Sequence, residues 1–303
     1  MNVARRDFLR TAAVMGTIGL TSNKLLASEV NEEKETFGVL VDTTICVGCR
    51  NCEWACQEEH GFAPPDIETF HENREVFQEF RRPGPRSYTV VNEFTNPFND
   101  IIGINVKYQC MHCNEPACIS ACIVGAFEKM ETGAVVWDGD KCIGCRYCMV
   151  ACPFQIPTFD FDVALKPDIH KCDFCYPNRT SKEKLPACVE NCPVEALLFG
   201  TRSEILRVAK KRIERYPTQY GKKIFGEKEV GGTSWLYMSK VDFSKLKLPQ
   251  LKEKPAPGVS EAIQHGIFSY FIPPLALYAW LGGIMWVTKR RKKLNEELKE
   301  EAE

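Results

Sequence analysis

The chain has 303 residues, of which 16 are cysteine, and its formal net charge at pH 7 is -1. A length of this order accommodates one or two domains. The near-neutral charge and the lack of a basic patch with interleaved aromatic residues argue against a nucleic-acid-binding protein.

Residues 1–27 have the pattern of a twin-arginine export signal. The charged core Arg5–Arg10 reads R-R-D-F-L-R and is followed by the mildly apolar run Thr11–Leu20. A chance amphipathic start is the alternative, and Ala4 stands where serine or threonine is usual. Leu25–Ala27 is a poor cleavage site, so the sequence leaves open whether the segment is removed.

The cysteines fall into four groups of four, and each group has a regular spacing. The first and third groups, Cys46, Cys49, Cys52, Cys56 and Cys142, Cys145, Cys148, Cys152, read C-x2-C-x2-C-x3-C; the second, Cys110, Cys113, Cys118, Cys122, reads C-x2-C-x4-C-x3-C; the fourth, Cys172, Cys175, Cys188, Cys192, reads C-x2-C-x12-C-x3-C. Three cysteines at i, i+3 and i+6 suit one cuboidal iron–sulfur cluster, and the fourth faces away towards a second. Sixteen ligands, at four for each cluster, predict four [4Fe–4S] clusters.

Two alternatives to iron–sulfur clusters remain open at this point. A structural zinc protein would use two pairs of thiolates at each site. That arrangement does not explain three evenly spaced cysteines followed by a fourth at a different spacing. An exported domain rich in disulfides would also use an even number of cysteines.

The cysteine groups are arranged as an internal repeat. Cys46–Cys56 matches Cys142–Cys152, and Pro116–Cys122 matches Pro186–Cys192. We call the first and third groups A-type and the second and fourth groups B-type. Their A, B, A, B order predicts an α+β fold built from a duplicated bacterial two-[4Fe–4S] ferredoxin-like domain with insertions. Spacing alone does not say which groups exchange their fourth cysteine.

Local patterns predict the remaining elements in chain order. Strands are expected at Val39–Asp42, Ala134–Trp137 and Leu197–Gly200, a hairpin at Tyr88–Phe94 and Ile101–Tyr108, a short helix within Glu115–Ala126, and a helix over Ser203–Tyr216 capped by Ser203. Gln57–Pro85 is polar and reads as a connecting insertion, and Pro217–Lys254 reads as an extended clasp on a partner or on the domain surface.

The C-terminal region predicts a membrane anchor. Ile267–Val287 is a run of 21 residues without a charge, which is long enough to span a bilayer. The cationic cluster Lys289–Lys293 follows, and the positive-inside rule assigns it to the cytoplasm. The expected location is therefore the bacterial inner membrane, crossed once, with the cluster domain facing the periplasm and the C-terminus in the cytoplasm. A buried core helix is the alternative.

The expected domains follow from these patterns. They are a signal segment at 1–27, a four-cluster ferredoxin-like domain at 36–202 with an insertion at about 57–109, a helix and clasp at 203–262, a transmembrane helix at 267–287 and a charged cytoplasmic tail at 288–303.

Four basic residues are candidates to tune the clusters. Lys141 and Lys171 each precede a cysteine group, and Arg50 and Arg146 lie within two others. A cation beside a cluster favours its reduced state, whereas the alternative role is solvated surface charge. His265, just before the predicted membrane helix, is a candidate quinone contact or a purely interfacial residue.

The chain resembles the four-cluster iron–sulfur subunits of membrane redox complexes. These include the electron-transfer subunits of formate dehydrogenase, dimethyl sulfoxide reductase and polysulfide reductase, and especially the ferredoxin-like subunit of quinone-linked nickel–iron hydrogenase of the hydrogenase 2 type. The segments that carry the resemblance are Gln109–Cys113, Cys142–Cys152, Phe199–Arg202 and Tyr220–Trp235. Cys122 departs from the ferredoxin pattern because Ile123, and not proline, follows it.

The resemblance implies which cysteines share a cluster. It assigns Cys46, Cys49, Cys52 and Cys192 to cluster one; Cys172, Cys175, Cys188 and Cys56 to cluster two; Cys110, Cys113, Cys118 and Cys152 to cluster three; and Cys142, Cys145, Cys148 and Cys122 to cluster four. It also implies a non-catalytic electron-transfer subunit between a catalytic subunit, such as a nickel–iron hydrogenase, and a quinone-reactive membrane subunit. A molybdopterin oxidoreductase or a multihaem cytochrome complex is the alternative setting.

Overall fold

The protein is described from a computed structural model, which covers residues 35–99, 101–163, 168–257 and 272–300. The predicted export signal at 1–27 and His265 lie outside the described residues. The strands are β1 (Phe37–Asp42), β2 (Val90–Phe94), β3 (Ile104–Tyr108), β4 (Phe127–Lys129), β5 (Val135–Trp137), β6 (Thr158–Phe159), β7 (Ile169–His170), β8 (Leu197–Thr201) and β9 (Trp235–Met238). The α-helices are α1 (Asn51–Glu59), α2 (Ile67–Glu72), α3 (Ala117–Ser120), α4 (Tyr147–Ala151), α5 (Ala187–Glu190), α6 (Arg202–Arg215) and α7 (Ile272–Glu300).

A three-stranded sheet of order β8-β1-β9 forms the centre of the fold. Strand β1 pairs with β8 in antiparallel register and with β9 in parallel register. Its residues Val39–Val41 are almost fully buried because β1 is the middle strand and a continuous apolar run. The predicted strands β1 and β8 are confirmed. Strand β9 was not predicted, and its four residues belong to the core and not to a surface clasp.

The predicted hairpin is confirmed, and it covers one side of the core. Strands β2 and β3 pair in antiparallel register from Val90 opposite Tyr108 to Phe94 opposite Ile104. All five residues of β3 are buried. Side chains alternate across a strand, so the apolar Ile104, Val106 and Tyr108 share one face, and the polar Asn105 and Lys107 share the other.

Helix α6 differs from its prediction at its start. Thr201, and not Ser203, is the N-cap, and its hydroxyl accepts a hydrogen bond from the Glu204 backbone N–H at 3.4 Å. Residues Ile205 and Ala209 of α6 pack on Leu40 from the central sheet.

The cysteine-bearing helices form two packed pairs. Helix α1 packs against α5, and α3 packs against α4. Each pair joins a helix from an A-type segment to a helix from a B-type segment, as a duplicated ferredoxin unit requires. The predicted helix within Glu115–Ala126 is confirmed but is a single turn, Ala117–Ser120.

The predicted membrane anchor needs correction. No helix among the described residues is long and apolar enough to cross a membrane. Helix α7 begins at Ile272, reaches the cationic cluster at Lys289, and carries Pro273, Pro274, Gly282 and Gly283, which dilute its apolar character. This finding overturns the predicted single-pass helix at 267–287, and with it the location in the bacterial inner membrane with a periplasmic cluster domain and a cytoplasmic C-terminus. Residues 267–271 lie outside the described part of the chain.

Candidate metal centres

The two A-type cysteine loops have the same backbone conformation. Gly48 and Gly144 have φ of +67° and +69°, and Arg50 and Arg146 have φ of +64° and +61°. A β-carbon on Gly48 would lie 2.3 Å from Oδ1 of Asn105, so both the φ angle and the space require glycine there. The loops therefore wrap tightly enough to bring their cysteines together.

The B-type segments repeat each other in the same way. His112 and Phe174 each stand two residues after the first cysteine of their group, and both have positive φ, +46° and +65°. Gly125 and Glu195 each stand three residues after the last cysteine, with φ of +64° and +51°. The A-type pair and the B-type pair thus each share positive-φ positions, although Cys175, at φ +51°, has no such counterpart in Cys113.

Backbone N–H groups point at several cysteine sulfurs. The N–H of Gly144 contacts Sγ of Cys142 and the N–H of Phe174 contacts Sγ of Cys172, both at 3.4 Å. The N–H of Ala126 donates to Sγ of Cys122 at 3.2 Å. Such contacts stabilise negative charge on a thiolate and on the cluster that it binds.

Two cavities are each lined by a set of four cysteines. The first contains Cys46, Cys49, Cys52 and Cys192, and the second contains Cys110, Cys113, Cys118 and Cys152. In each case three cysteines come from one group and the fourth comes from another. Four convergent thiols around a small apolar cavity fit the donor set and the shape of a cubane [4Fe–4S] cluster.

Two of the other eight cysteines, Cys56 and Cys148, have cysteines of another group among their electrostatic neighbours. Burial first, and then Cys172, Cys188 and Cys175, raise the pKa of the Cys56 thiol. Burial and then Cys142, Cys145 and Cys122 raise the pKa of the Cys148 thiol to about 11.

All sixteen cysteines are free thiols, which does not fit a disulfide-rich domain. Burial raises the pKa of Cys46 to about 11 and of Cys118 to about 12. These thiols would be protonated at neutral pH unless a cation stabilised the thiolate, and iron supplies that positive charge.

The four predicted basic neighbours have different surroundings. Lys171 is buried, lines the second cavity and donates to the backbone carbonyl oxygens of Val135 and Cys172. Arg50 is also buried and lines the first cavity, and its guanidinium pairs at 3.0 Å with Glu53, a carboxylate that Arg81 also contacts.

The other two predicted neighbours are exposed. Arg146 lies 5.3 Å from the ring centroid of Phe159. Lys141 is 56% exposed and pairs with Asp138 at 3.1 Å.

Two histidines lie beside cysteine groups. His112 is fully buried, and burial lowers its pKa, so the ring is neutral; its Nδ1 accepts from the Val135 N–H at 2.8 Å. His60 lies beside Cys56. Its Nδ1 lies 2.7 Å from the carbonyl oxygen of Cys56, and its Nε2 lies 3.1 Å from Oδ1 of Asp173.

Lys107 was not predicted from the sequence, although it lines the first cavity. Its strand offered a recognisable pattern. The polar face of β3 carries Asn105 and Lys107 and leads to Gln109, next to Cys110. Asn105 contacts the Cys46 carbonyl oxygen at 3.4 Å, so this face lies against the first cysteine loop. Lys107 could therefore have been predicted from the sequence, because it belongs to the polar face of a strand that leads directly into a cysteine group.

Known proteins share these features. A model of the 4Fe-4S dicluster domain matches residues 104–202. The Hydrogenase-2 operon protein HybA of Escherichia coli O157:H7 is 33% identical over 95% of this chain and 96% of its own length. A protein of Nitratidesulfovibrio vulgaris is 40% identical over 98% of this chain and 80% of its own. The formate dehydrogenase-O iron-sulfur subunit of Escherichia coli K12 is 31% identical over 77% and 74%, respectively.

These matches confirm the predicted resemblance and the ferredoxin-type part of the predicted α+β fold. They also confirm the predicted cofactor, because sixteen cysteines in a 4Fe-4S family supply the ligands of four clusters. The chain therefore belongs to the family of [4Fe–4S] iron–sulfur proteins that includes HybA of the hydrogenase-2 operon and the iron–sulfur subunit of formate dehydrogenase-O.

Proposed function

We propose that this chain is a non-catalytic electron-transfer subunit of an oxidoreductase complex. The observation that carries the proposal is the cavity lined by Cys46, Cys49, Cys52 and Cys192, since it joins the two ends of the cysteine-bearing region in one site. A cluster-binding domain over 36–202, with an insertion at about 57–109 and a following segment at 203–262, is part of the same proposal.

The proposed ligands follow the exchange between groups. They are Cys46, Cys49, Cys52 and Cys192 for cluster one; Cys172, Cys175, Cys188 and Cys56 for cluster two; Cys110, Cys113, Cys118 and Cys152 for cluster three; and Cys142, Cys145, Cys148 and Cys122 for cluster four. The two cavities and the electrostatic neighbours of Cys56 and Cys148 support this assignment.

A [4Fe–4S] cluster, when bound, accepts and donates one electron at a time. The protein's part is to hold the thiolates, exclude water and set the local charge. The first and second cavities, which we assign to clusters one and three, have apolar linings that keep water away. Val91 and Leu197 line the first cavity, and Phe154 and Ile156 line the second.

Two proposed sites lie beside exposed apolar side chains, which suits contact with partner proteins. Ile45 and Val47 are exposed at the first site. Ile143, Tyr147 and Val150 are exposed at the fourth. Exposed apolar residues in one patch are typical of protein interfaces, and an electron relay needs one interface for the donor and one for the acceptor.

We infer that the catalytic partner is a nickel–iron hydrogenase and that the second redox partner is a quinone-reactive membrane subunit. The relative named for the hydrogenase-2 operon, which aligns over almost its whole length, supports this choice. A molybdopterin oxidoreductase is the second candidate, because a formate dehydrogenase iron-sulfur subunit is also related. A multihaem cytochrome complex would use the same relay.

Metal analysis tests the proposed function directly. Protein purified without oxygen is expected to contain about 16 iron and 16 acid-labile sulfide per chain, with broad visible absorption, by the cluster stoichiometry. Stoichiometric zinc without that absorption would overturn the proposal in favour of a structural zinc protein.

The partner is tested by gentle affinity purification of the full chain from its own cells, followed by identification of the co-purifying large subunit. A nickel-containing subunit with hydrogen-oxidising activity supports the hydrogenase assignment. A molybdenum-containing subunit would reject it and leave the electron-transfer role intact. The reading frames that neighbour its gene provide an independent check.

A further inference from the structure

Lys107 is a buried cation, and no carboxylate in the described part of the chain forms an ion pair with it. Its side chain is 2% exposed. The ammonium group donates to Oε1 of Gln109 at 3.0 Å and lies 4.3 Å from the ring centroid of Trp235. Among the ion pairs of the described residues, none includes Lys107. Because burial of an uncompensated charge is strongly unfavourable, a negative charge beside Lys107 would stabilise its charged form.

The nearby negative charge comes from the cysteine sites. Lys107 lines the cavity that contains Cys46, Cys49, Cys52 and Cys192. Cys52 and Cys56 lie four residues apart on helix α1, one turn from each other, and belong to different sets of cysteines. A cation facing Cys52 is therefore also close to the set containing Cys56.

The electrostatics of both sets agree with this position. Burial acts to lower the pKa of Lys107, but the thiolates of Cys188, Cys52 and Cys172 outweigh it and hold the pKa above its ordinary value. In turn, Lys107 is the cation that opposes the effect of burial on the thiols of Cys52 and Cys172. The sulfurs that act on Lys107 therefore come from both sets, Cys52 from one and Cys172 and Cys188 from the other.

We propose that Lys107 is the shared positioning cation of clusters one and two, and that its charge raises the reduction potentials of both. The inference rests on the proposed cluster ligands. Each oxidised cluster with four thiolates carries a net charge of about -2, which reduction makes more negative, so a fixed cation in a dry site favours the reduced form.

The experiment is an EPR-monitored redox titration of the intact protein and of the variant Lys107→Met, with iron and sulfide measured on the same samples. The expected result is full iron content and lower midpoint potentials for two clusters. A tenfold loss in the equilibrium constant for one-electron reduction corresponds to about 59 mV. Lys107→Arg keeps the charge and should keep both potentials near those of the parent. Lys210→Gln, at an exposed site on α6, which carries no cysteine, is the matched control and should change none.

Each other outcome also decides the question. Full iron content with unchanged potentials in Lys107→Met would overturn the proposal. A second outcome is that Lys107→Met loses the iron of about two clusters while Lys107→Arg retains it. That result would support the proposal, because it shows that both clusters need a positive charge at this position in order to assemble. If Lys107→Arg loses that iron as well, the residue serves packing only, and the proposal fails. Absence of iron–sulfur clusters from the parent protein would instead reject the proposed function.

Discussion

Arg81 donates from Nη2 to Oε1 of Glu53 at 2.6 Å and so ties the insertion to the helix that carries Cys52 and Cys56. Glu53 is completely buried, and its other oxygen accepts from Nη2 of Arg50 at 3.0 Å. The Val91 backbone N–H also donates to it. One carboxylate therefore joins the first cysteine loop, the insertion and the β2–β3 hairpin.

The substitution Glu53→Gln should strongly destabilise the protein. It leaves the guanidinium of Arg50 buried without a counter-charge, and breaking a buried ion pair in this way costs about 3–5 kcal/mol. The free energy of unfolding, measured by urea titration under anaerobic conditions, is expected to fall by that amount. Glu68→Gln, at an exposed position of α2, is the control and should change stability by less than about 0.5 kcal/mol. Equal stability of the two variants would show that Glu53 does not connect these segments.

The substitution Gly48→Ala should prevent formation of cluster one. The new β-carbon meets the Asn105 amide at 2.3 Å, in addition to the strain of a φ angle of +67°. Gly61→Ala separates the two effects, because Gly61 has φ +68° and nothing within 4 Å of a built β-carbon. Strain alone costs roughly 1–2 kcal/mol, so Gly61→Ala should keep the full iron content. Iron analysis should show a loss of about four atoms in Gly48→Ala only; equal iron content in both variants would mean that the loop yields to the added methyl group.

Cysteine spacing was sufficient to predict the cofactor and the ferredoxin-type domain, because each group is a local loop whose geometry depends on a few adjacent residues. The central strands were also predictable from local sequence, because Val39–Val41 and Leu197–Phe199 are continuous apolar runs. Strand β9 was not, because the four residues Trp235–Met238 are too short to distinguish a core strand from an apolar island in a loop. Its partner β1 lies almost two hundred residues earlier in the sequence.

Charge is the part of the site that the sequence predicted least well. Lys141 and Arg146 stand next to cysteines in the sequence but are exposed, whereas Lys107 is three residues from a cysteine and is buried. Burial depends on how strands and insertions cover the clusters, which is a tertiary property. The membrane prediction failed for a related reason, since a count of uncharged residues ignores where the helix begins and the prolines within it.

The pair His60–Asp173 should make stability depend on pH. Burial acts to lower the pKa of His60, but the hydrogen bond and charge of Asp173 outweigh it and raise the pKa above 6.5. Its contribution is complete below pH 6.5 and is lost as the pH rises through the raised value of the folded state. Burial acts to raise the pKa of Asp173, but His60 outweighs it and lowers that pKa. The contribution of Asp173 to folding stability is therefore complete above pH 3.8 and is lost as the pH falls through the lowered pKa of the folded state.

The measurement is the free energy of unfolding of the parent and of His60→Gln from below to well above pH 6.5. The parent should lose stability relative to the variant as the pH rises. His71→Gln is the control, because its ring contacts the amide oxygen of Asn51 at 2.6 Å and not a carboxylate. A pH dependence that is the same in the parent and in His60→Gln would mean that the His60–Asp173 ion pair adds nothing to stability.

Pairs of cysteine substitutions should reveal the exchange of ligands between groups. If Cys192 completes the site of Cys46, the double variant Cys46→Ala/Cys192→Ala damages one cluster and loses about four iron atoms per chain. The double variant Cys46→Ala/Cys56→Ala then damages two clusters and loses about eight. If each group instead binds its own fourth cysteine, the two results are reversed. The common cavity of Cys46 and Cys192, together with the thiolates of Cys172, Cys175 and Cys188 around Cys56, favours the first outcome. Iron and sulfide analysis of both variants, prepared side by side without oxygen, decides between the two arrangements.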